Sequence, residues 1–427
     1  MRYAMPIVGT ADALGSVVPL AARPRSLAPA VIAMLVLALA LVAAPLLVAF
    51  YAYAMYPAIL WMAGRRVKAT GTPAAEMDWP TVTVTVPVYN VASGVRPTIE
   101  RLLALDYPRD RLQILVISDA STDGTDDIVR GFADRGVELL RLPQRRGKTT
   151  AENLALASAR GEIIVNVDAT VLVPARSLKA LVRAFADPTI GVASGRDVSV
   201  GDLEREGSSG GGESSYVGYE MWVRDLETRV GSIVGASGCF YGIRRGVHAT
   251  PLPPHLSWDF ASALVARELG FRSVSVPEAV CIVPRTAELR TELRRKVRTM
   301  ARGLSTLFYK RSLMNPLRYG TFALMLISHK LLRWVPYLLA PISLAALALL
   351  AVNSTTGRVA LAIVLIGLLT GVVGMRIRGG LSALRPVSLA GFLVAAFTAG
   401  FLAWVEALRQ TPMATWEPTP RPEARTG

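Results

Sequence analysis

Residues 27–63 contain no charged side chain. A helix needs roughly 20 apolar residues to cross a bilayer, so this run is long enough to be a membrane anchor. Its length, and the lack of a small-residue cleavage site followed by a mature start, separate it from a secretory signal peptide. One span is preferred to a hairpin broken near Pro45, whose halves would be too short. Arg65, Arg66 and Lys68 follow at once, which places the downstream side in the cytoplasm. Tyr51, Tyr53, Tyr56 and Trp61 suit an interface belt. Three more charge-free stretches, 334–352, 359–375 and 386–404, make residues 334–408 three further transmembrane helices. Arg376, Arg378 and Arg385 mark the last inter-helix loop as cytoplasmic, with both termini outside. Residues 315–333 read as an amphipathic helix lying in the interface, 1–26 as a loose tail and 409–427 as a Pro-rich tail. The composition agrees: 52% hydrophobic residues over 427 positions, with mean hydropathy +0.39, is too apolar for an ordinary soluble enzyme.

Between the apolar stretches, residues 80–310 carry the pattern of a cytoplasmic α/β domain. TVTVTVPVYN (81–90) and ILVISDASTDGT (114–125) read as buried strands running into polar turns. The second brings Asp119 and Asp123 to the carboxyl end of its strand, where open α/β sheets hold ligands. Strands are expected at 81–86, 113–118, 137–142, 162–168 and 190–194, with helices at 95–105, 123–134, 149–159 and 175–186. That alternation implies a mostly parallel central sheet covered on both faces. Residues 71–80 form a turn-rich linker, and the Gly/Ser-rich stretch 201–215 is a mobile loop, either a lid or a plain insertion.

Lys and Arg total 47 against 32 acidic residues, a formal charge of +15. Such an excess suits anionic lipid, phosphate-bearing substrates or nucleic acid. With no recognition helix, aromatic RNA motif or finger, nucleic acid is set aside. Cys239 and Cys281 form no CxxC pair and no ligand cluster, which excludes a disulfide scaffold or zinc site and fits a reducing compartment.

PVYN (87–90), SDASTDGT (118–125), RRGKTTAEN (145–153), VNVDAT (165–170), SGCFYGIRR (237–245), WDF (258–260) and RRKVRTMARG (294–303) stand in the order and spacing of family-2 glycosyltransferases. Over residues 80–310 the chain resembles a membrane-embedded member of that family, with a GT-A nucleotide-sugar domain. The resemblance implies transfer of a sugar from a nucleotide diphosphate donor, with inversion, to a lipid-linked or polysaccharide acceptor. It implies a multi-pass protein of the inner (cytoplasmic) membrane working in envelope or exopolysaccharide synthesis, open to partnership in a polysaccharide assembly complex. Sugar transfer needs cations against a departing diphosphate and a carboxylate to take the acceptor proton.

By their places in these motifs, Pro87, Tyr89 and Asn90 resemble the first nucleotide-contacting loop, or form a plain strand-end turn. Val91 stands where the family commonly has Glu. Asp119 resembles the carboxylate on the base or ribose; otherwise it serves an Asx turn or a helix N-cap. Asp123 folds the turn. Lys148 meets a phosphate or shapes the helix start. Asp168 opens the family's DxD signature, which implies a divalent cation, Mg2+ or Mn2+, but Thr170 replaces the second carboxylate and is a poor ligand for a hard ion. Asp259 matches the catalytic base, or caps the helix that follows, and Trp258 replaces the acidic residue usual before it. Where processive synthases carry QxxRW, only Arg298 matches; Arg295 and Arg298 suit diphosphate contacts. A processive synthase that threads its product through the membrane, and a catalytically inactive scaffold of the same fold, are the rival readings.

Overall fold

The computed structural model describes residues 29–65, 78–199, 212–283, 289–376, 385–409 and 415. The tail 1–26, the linker up to residue 77, residues 201–211 of the Gly/Ser-rich stretch, Arg66, Lys68 and Arg378, and nearly all of the Pro-rich tail lie outside the described residues. Residues 212–215, grouped above with the loop, instead begin a helix.

Seven strands form one sheet: β1 (Val82–Val88), β2 (Leu112–Ser118), β3 (Val137–Arg141), β4 (Ile163–Val167), β5 (Ile190–Ser199), β6 (Phe240–Arg244) and β7 (Arg272–Val283), in the spatial order β3-β2-β1-β4-β6-β5-β7. The first four pair in parallel, as their alternation with helices requires. The βαβ reading missed β6, which runs antiparallel to both β4 and β5, and it missed β7, which pairs in parallel with β5.

The Val/Thr alternation of β1 does not mark a wet face, because every residue of the strand is buried. Val82, Val84, Val86 and Val88 share a core with Val95, Ile99 and Leu102 of α2 (Ala92–Leu103) and with Leu178, Leu181 and Val182 of a later helix. The threonines face the other way and spend their hydroxyls across strands. Thr83 Oγ1 donates to Gln113 Oε1 at 2.7 Å, and Thr85 Oγ1 to Asn166 Oδ1 at 2.7 Å. A buried hydroxyl is tolerated when it is hydrogen-bonded. After α3 (Thr125–Arg130), helix α4 (Lys148–Ser158) covers this second face, its Ala151 and Ala155 lying on Leu115 and Ile117. Helix α5 (Ser177–Arg183) completes the first face.

The remaining helices are α6 (Gly212–Val230), α7 (Trp258–Glu268) and α8 (Leu289–Tyr309), together with four that are long and apolar enough to cross a membrane. Those four are α1 (Pro29–Gly64), α9 (Thr321–Asn353), α10 (Thr355–Arg376) and α11, Arg385–Leu408, whose apolar part is Leu389–Leu408. Helix α1 continues through Pro45, with a π-helical turn at Tyr51–Met55. The 315–333 stretch departs from its expected form as one interfacial helix. A short turn, Pro316–Tyr319, ends at Gly320, whose φ of 56° breaks the helix, and α9 then runs on through a π turn at Ile327–Leu331 into the next apolar stretch.

A buried polar knot joins α1 and α9, which flank the sheet domain along the chain, to α6. Tyr56 Oη of α1 donates to Glu227 Oε1 at 2.5 Å, and His329 of α9 bridges Glu227 and Glu220 at 2.6 and 2.9 Å. Arg333 Nη1 donates to Glu220 Oε2 at 2.6 Å, and Tyr51 Oη meets Ser328 Oγ at 3.0 Å between the two π turns.

Backbone contact at the edge of β1 and β4 gives a direct test of this packing. A Cβ on Gly161 would stand 2.4 Å from the Thr83 nitrogen and 2.6 Å from the Val82 carbonyl carbon, neither able to yield, whereas one on Gly246 meets nothing within 4 Å. Gly161→Ala should cost about 2–4 kcal/mol, and Gly246→Ala should stay within about 0.5 kcal/mol. Thermal unfolding of the two variants checks it, and equal midpoints would contradict the strand packing described.

Candidate active site

Parallel register brings the carboxyl ends of β1, β2 and β4 to one edge: Val88 pairs with Ser118 and Thr85 with Asn166, so Tyr89, Asn90, Asp119 and Asp168 emerge side by side, with Pro87 still within β1. Asn90 takes a left-handed φ of 48°, a conformation asparagine tolerates better than most residues, and its Oδ1 accepts from the Thr122 N–H at 2.8 Å. Asp123 ties down the starts of two helices. Its Oδ2 accepts from Ala92 N–H at 2.9 Å, and its Oδ1 accepts from both the N–H and the hydroxyl of Thr125. Burial pushes its carboxyl up, but these hydrogen bonds outweigh burial and hold it below the usual range.

Asp119 is fully buried, and both oxygens are engaged by backbone: Oδ1 accepts from Arg146 N–H at 2.6 Å and Oδ2 from Gly147 N–H at 2.9 Å. Burial pushes this carboxyl up, and the two hydrogen bonds oppose it. Neither an Asx turn nor an N-cap describes this contact; the side chain fixes the loop that leads into α4. Beside it the Arg145 guanidinium lies 3.9 Å from the centroid of the Tyr89 ring.

Lys148, the first residue of α4, occupies the centre of the edge. Its Nζ donates to Asp168 Oδ1 at 2.6 Å and to the Gly238 carbonyl at 3.3 Å, and lies 3.7 Å from Glu152 Oε1. Burial would push the ammonium down, but Asp168, Glu152 and Asp259 outweigh it and push it up, so it stays charged. Gly238 links this cation to Asp259: a Cβ there would stand 3.0 Å from Asp259 Oδ2, and the next residue's carbonyl, on Cys239, accepts from Asp168 N–H at 3.1 Å.

Asp259 is the second residue of α7, and the N-cap position belongs to Ser257, whose hydroxyl donates to Asp259 Oδ1. Trp258, in place of a second acid, is an anchor. Its ring is buried 4.1 Å from that of His248 (centroid to centroid), and its Nε1 donates to Asn153 Oδ1 at 2.9 Å. Lys148, Asp168, Gly238 and Asp259 are thus linked through a continuous set of contacts, and Asp119 joins them through the loop that positions Lys148.

Two participants escaped the sequence reading. Glu152 is buried one helical turn beyond Lys148, and both of its oxygens lack a hydrogen-bond partner. Burial pushes its carboxyl up to about 7 against the pull of Lys148. The available signal was its i, i+4 spacing from Lys148, which ordinarily marks a surface pair. Arg302 reaches inward from α8, its Nη2 donating to Thr149 Oγ1 at 2.5 Å and also to the Leu256 carbonyl. Arg298 and Arg295 lie four and seven residues earlier and so share its face of the helix. Arg298 is half-buried and Arg295 exposed.

The donors present do not fit a divalent ion held by the protein. Asp168 is the one carboxylate of its signature, and it is paired with Lys148. Thr170 turns toward α2, its Cγ2 being 3.2 Å from where a Cβ on Gly94 would lie. Among the described residues no group of three or more His, Cys, Asp or Glu is placed to hold a metal. Hard cations take several oxygens at once.

Residues 83–249 match the profile described as "Glycosyl transferase family 2". The chain is 35% identical over 97 residues to the probable glycosyltransferase YdaM of Bacillus subtilis, covering 22% of this chain and 23% of that one. It is 27% identical over 301 residues to an N-acetylglucosaminyltransferase of Bradyrhizobium diazoefficiens, covering 66% and 60%. The chain spans less than two thirds of the length of these curated relatives. Among solved structures, the mannosyltransferase PcManGT of Pyrobaculum calidifontis, in complex with GDP-Man and Mn2+, superimposes with a TM-score of 0.68 at 25% identity, covering 88% of this chain and 99% of that one. The central part of this chain is therefore a glycosyltransferase family 2 domain of GT-A fold, attached to helices able to cross a membrane.

Proposed function

We propose that the protein moves a sugar, with inversion, from a nucleotide diphosphate donor to a membrane-associated acceptor, a lipid-linked glycan or a growing polysaccharide. The observation that carries this reading is the continuity of Lys148, Asp168, Gly238 and Asp259 at one sheet edge. It sets a cation for the departing diphosphate beside a carboxylate for the acceptor. In this reading Asp259, oriented by Ser257, takes the proton from the acceptor hydroxyl as that oxygen bonds to the anomeric carbon. The nucleoside diphosphate leaves toward Lys148, with Arg295 and Arg298 on the same side. Tyr89 and Asn90 line the nucleotide end, and Asp119 acts on it by holding the 146–147 backbone. The Mg2+ or Mn2+ implied by the resemblance, of which Mn2+ is present with PcManGT, finds one paired carboxylate here, and no step is assigned to it.

A membrane-associated acceptor is favoured by what touches Asp259's neighbour. Phe260 packs edge-on against Trp334 of α9 (centroids 6.4 Å apart) and under the Lys330 ammonium at 5.7 Å, so the acceptor side of the cleft abuts an apolar helix. Holding the domain at a bilayer raises its effective concentration toward lipid-borne substrates. Arg65 and Arg376, at the ends of α1 and α10, favour a cytoplasmic position for the domain at the inner membrane.

A panel of nucleotide sugars scored by release of nucleoside diphosphate tests the reading. Asp259→Asn should lower turnover by about 10²–10⁴-fold, the usual contribution of a general base, and Asp168→Ala should raise the donor KM. Unchanged activity in both variants rejects the site. No turnover with any donor favours a scaffold, and long products favour a processive synthase.

Glu152 gives an independent pH test. Its folded value of about 7 lies above its ordinary 4.5, so between those pH values the unfolded chain ionises while the folded protein keeps the proton. Stability from this group is therefore complete below about pH 4.5, falls as pH rises to about 7, and is flat above. Glu152→Gln should remove that slope, gaining on the order of 1–3 kcal/mol at pH 8 and almost nothing at pH 4. Parallel unfolding curves for the two proteins across this range would show that Glu152 is not held in its acid form.

A further inference from the structure

We propose that the Lys148 ammonium is the resident counter-cation for the donor diphosphate, standing at Asp168 where a divalent ion would otherwise stand. The proposal rests on the nucleotide-sugar reading above. Three oxygens surround the Nζ: Asp168 Oδ1 at 2.6 Å, the Gly238 carbonyl at 3.3 Å and Glu152 Oε1 at 3.7 Å. This is an oxygen set gathered around a positive charge, and the charge is covalently part of the chain.

Two further observations bear on it independently. The position that would complete a carboxylate pair is Thr170, whose methyl packs toward α2, leaving the ion-binding half of the signature without a hard ligand. Glu152 is buried with neither oxygen hydrogen-bonded, and its one ion pair within 4 Å among the described residues is with Lys148. An unsatisfied buried carboxyl is costly and calls for an explanation; placing the ammonium beneath the cleft supplies one. Lys148 also opens the first turn of an eleven-residue helix, whose N-terminal N–H groups add positive potential in the same place. Arg302 anchors α8 against the same turn through Thr149, holding the Arg298 and Arg295 face of that helix alongside.

The test is calorimetric binding of UDP, GDP, CDP and dTDP to the full-length protein in detergent, in EDTA and then in Mn2+ or Mg2+. At least one nucleotide should bind wild type with a Kd that changes by less than about threefold between EDTA and metal. Lys148→Met should weaken that binding by about tenfold, the loss of one charge-assisted contact. Added metal should not restore it, and Lys148→Arg should recover part of it. Binding by wild type that vanishes in EDTA and returns with Mn2+ or Mg2+ overturns the proposal without needing any variant to fold. So does undiminished binding by Lys148→Met. Binding of no nucleotide under either condition removes the nucleotide-sugar reading itself, and the proposal with it.

Discussion

The site depends on the paired hydrogen bonds from the Arg146 and Gly147 backbone to the buried Asp119 carboxylate. Hydrogen bonds to a charged group contribute about 1.5–3 kcal/mol each, enough to fix where α4 begins. Four successive consequences follow from that start. Lys148 is delivered to Asp168, Thr149 receives Arg302 from α8, Glu152 falls beneath Lys148, and Asn153 receives Trp258 and the Leu252 backbone. One carboxylate at the end of β2 therefore sets the positions of side chains contributed by β4, α7 and α8. That carboxylate acts on the backbone from which the contacts are built.

Much of this was legible in the chain, and the failures have physical causes. Val- and Ile-rich runs ending at polar residues, Asn90, Asp119 and Asp168, revealed β1, β2 and β4, because a strand buried on both faces must be apolar and must stop where it meets polar chemistry. The threonines of β1 are compatible with the buried strand expected there, because Gln113 and Asn166 supply partners that allow both faces to be covered. FYGIR, now β6, is too short to show a period, and its antiparallel direction is a property of its neighbours, not of its own residues. In β7, register shifts relative to β5 interrupt any simple repeat.

The site shows the same division. Lys148, Asp168 and Asp259 stand in recognisable motifs, and the structure brings them together. Glu152 was hidden because a glutamate four residues after a lysine usually decorates a wet helix face, and only the overlying α7 and sheet make that face interior. Arg302 enters the packing around Thr149, a choice of helix rotation that spacing alone leaves open. The break at Gly320 also depends on tertiary structure: apolar residues on either side allowed one helix or two, and the glycine's positive φ decides.

The knot of Tyr56, Glu227, His329, Glu220 and Arg333 has a mechanical corollary. A globular head hung from one tether swivels and bobs. Here α6 is gripped simultaneously by a helix that precedes the head in the chain and by one that follows it, through ionisable groups shielded from solvent. The head consequently keeps a constant altitude and heading relative to the apolar helices, and the mouth beside Phe260 always opens toward the same side. Under the function proposed above, an acceptor delivered from the lipid would have to come to that mouth by sideways diffusion and turn itself to fit, since the protein does not lean out to fetch it.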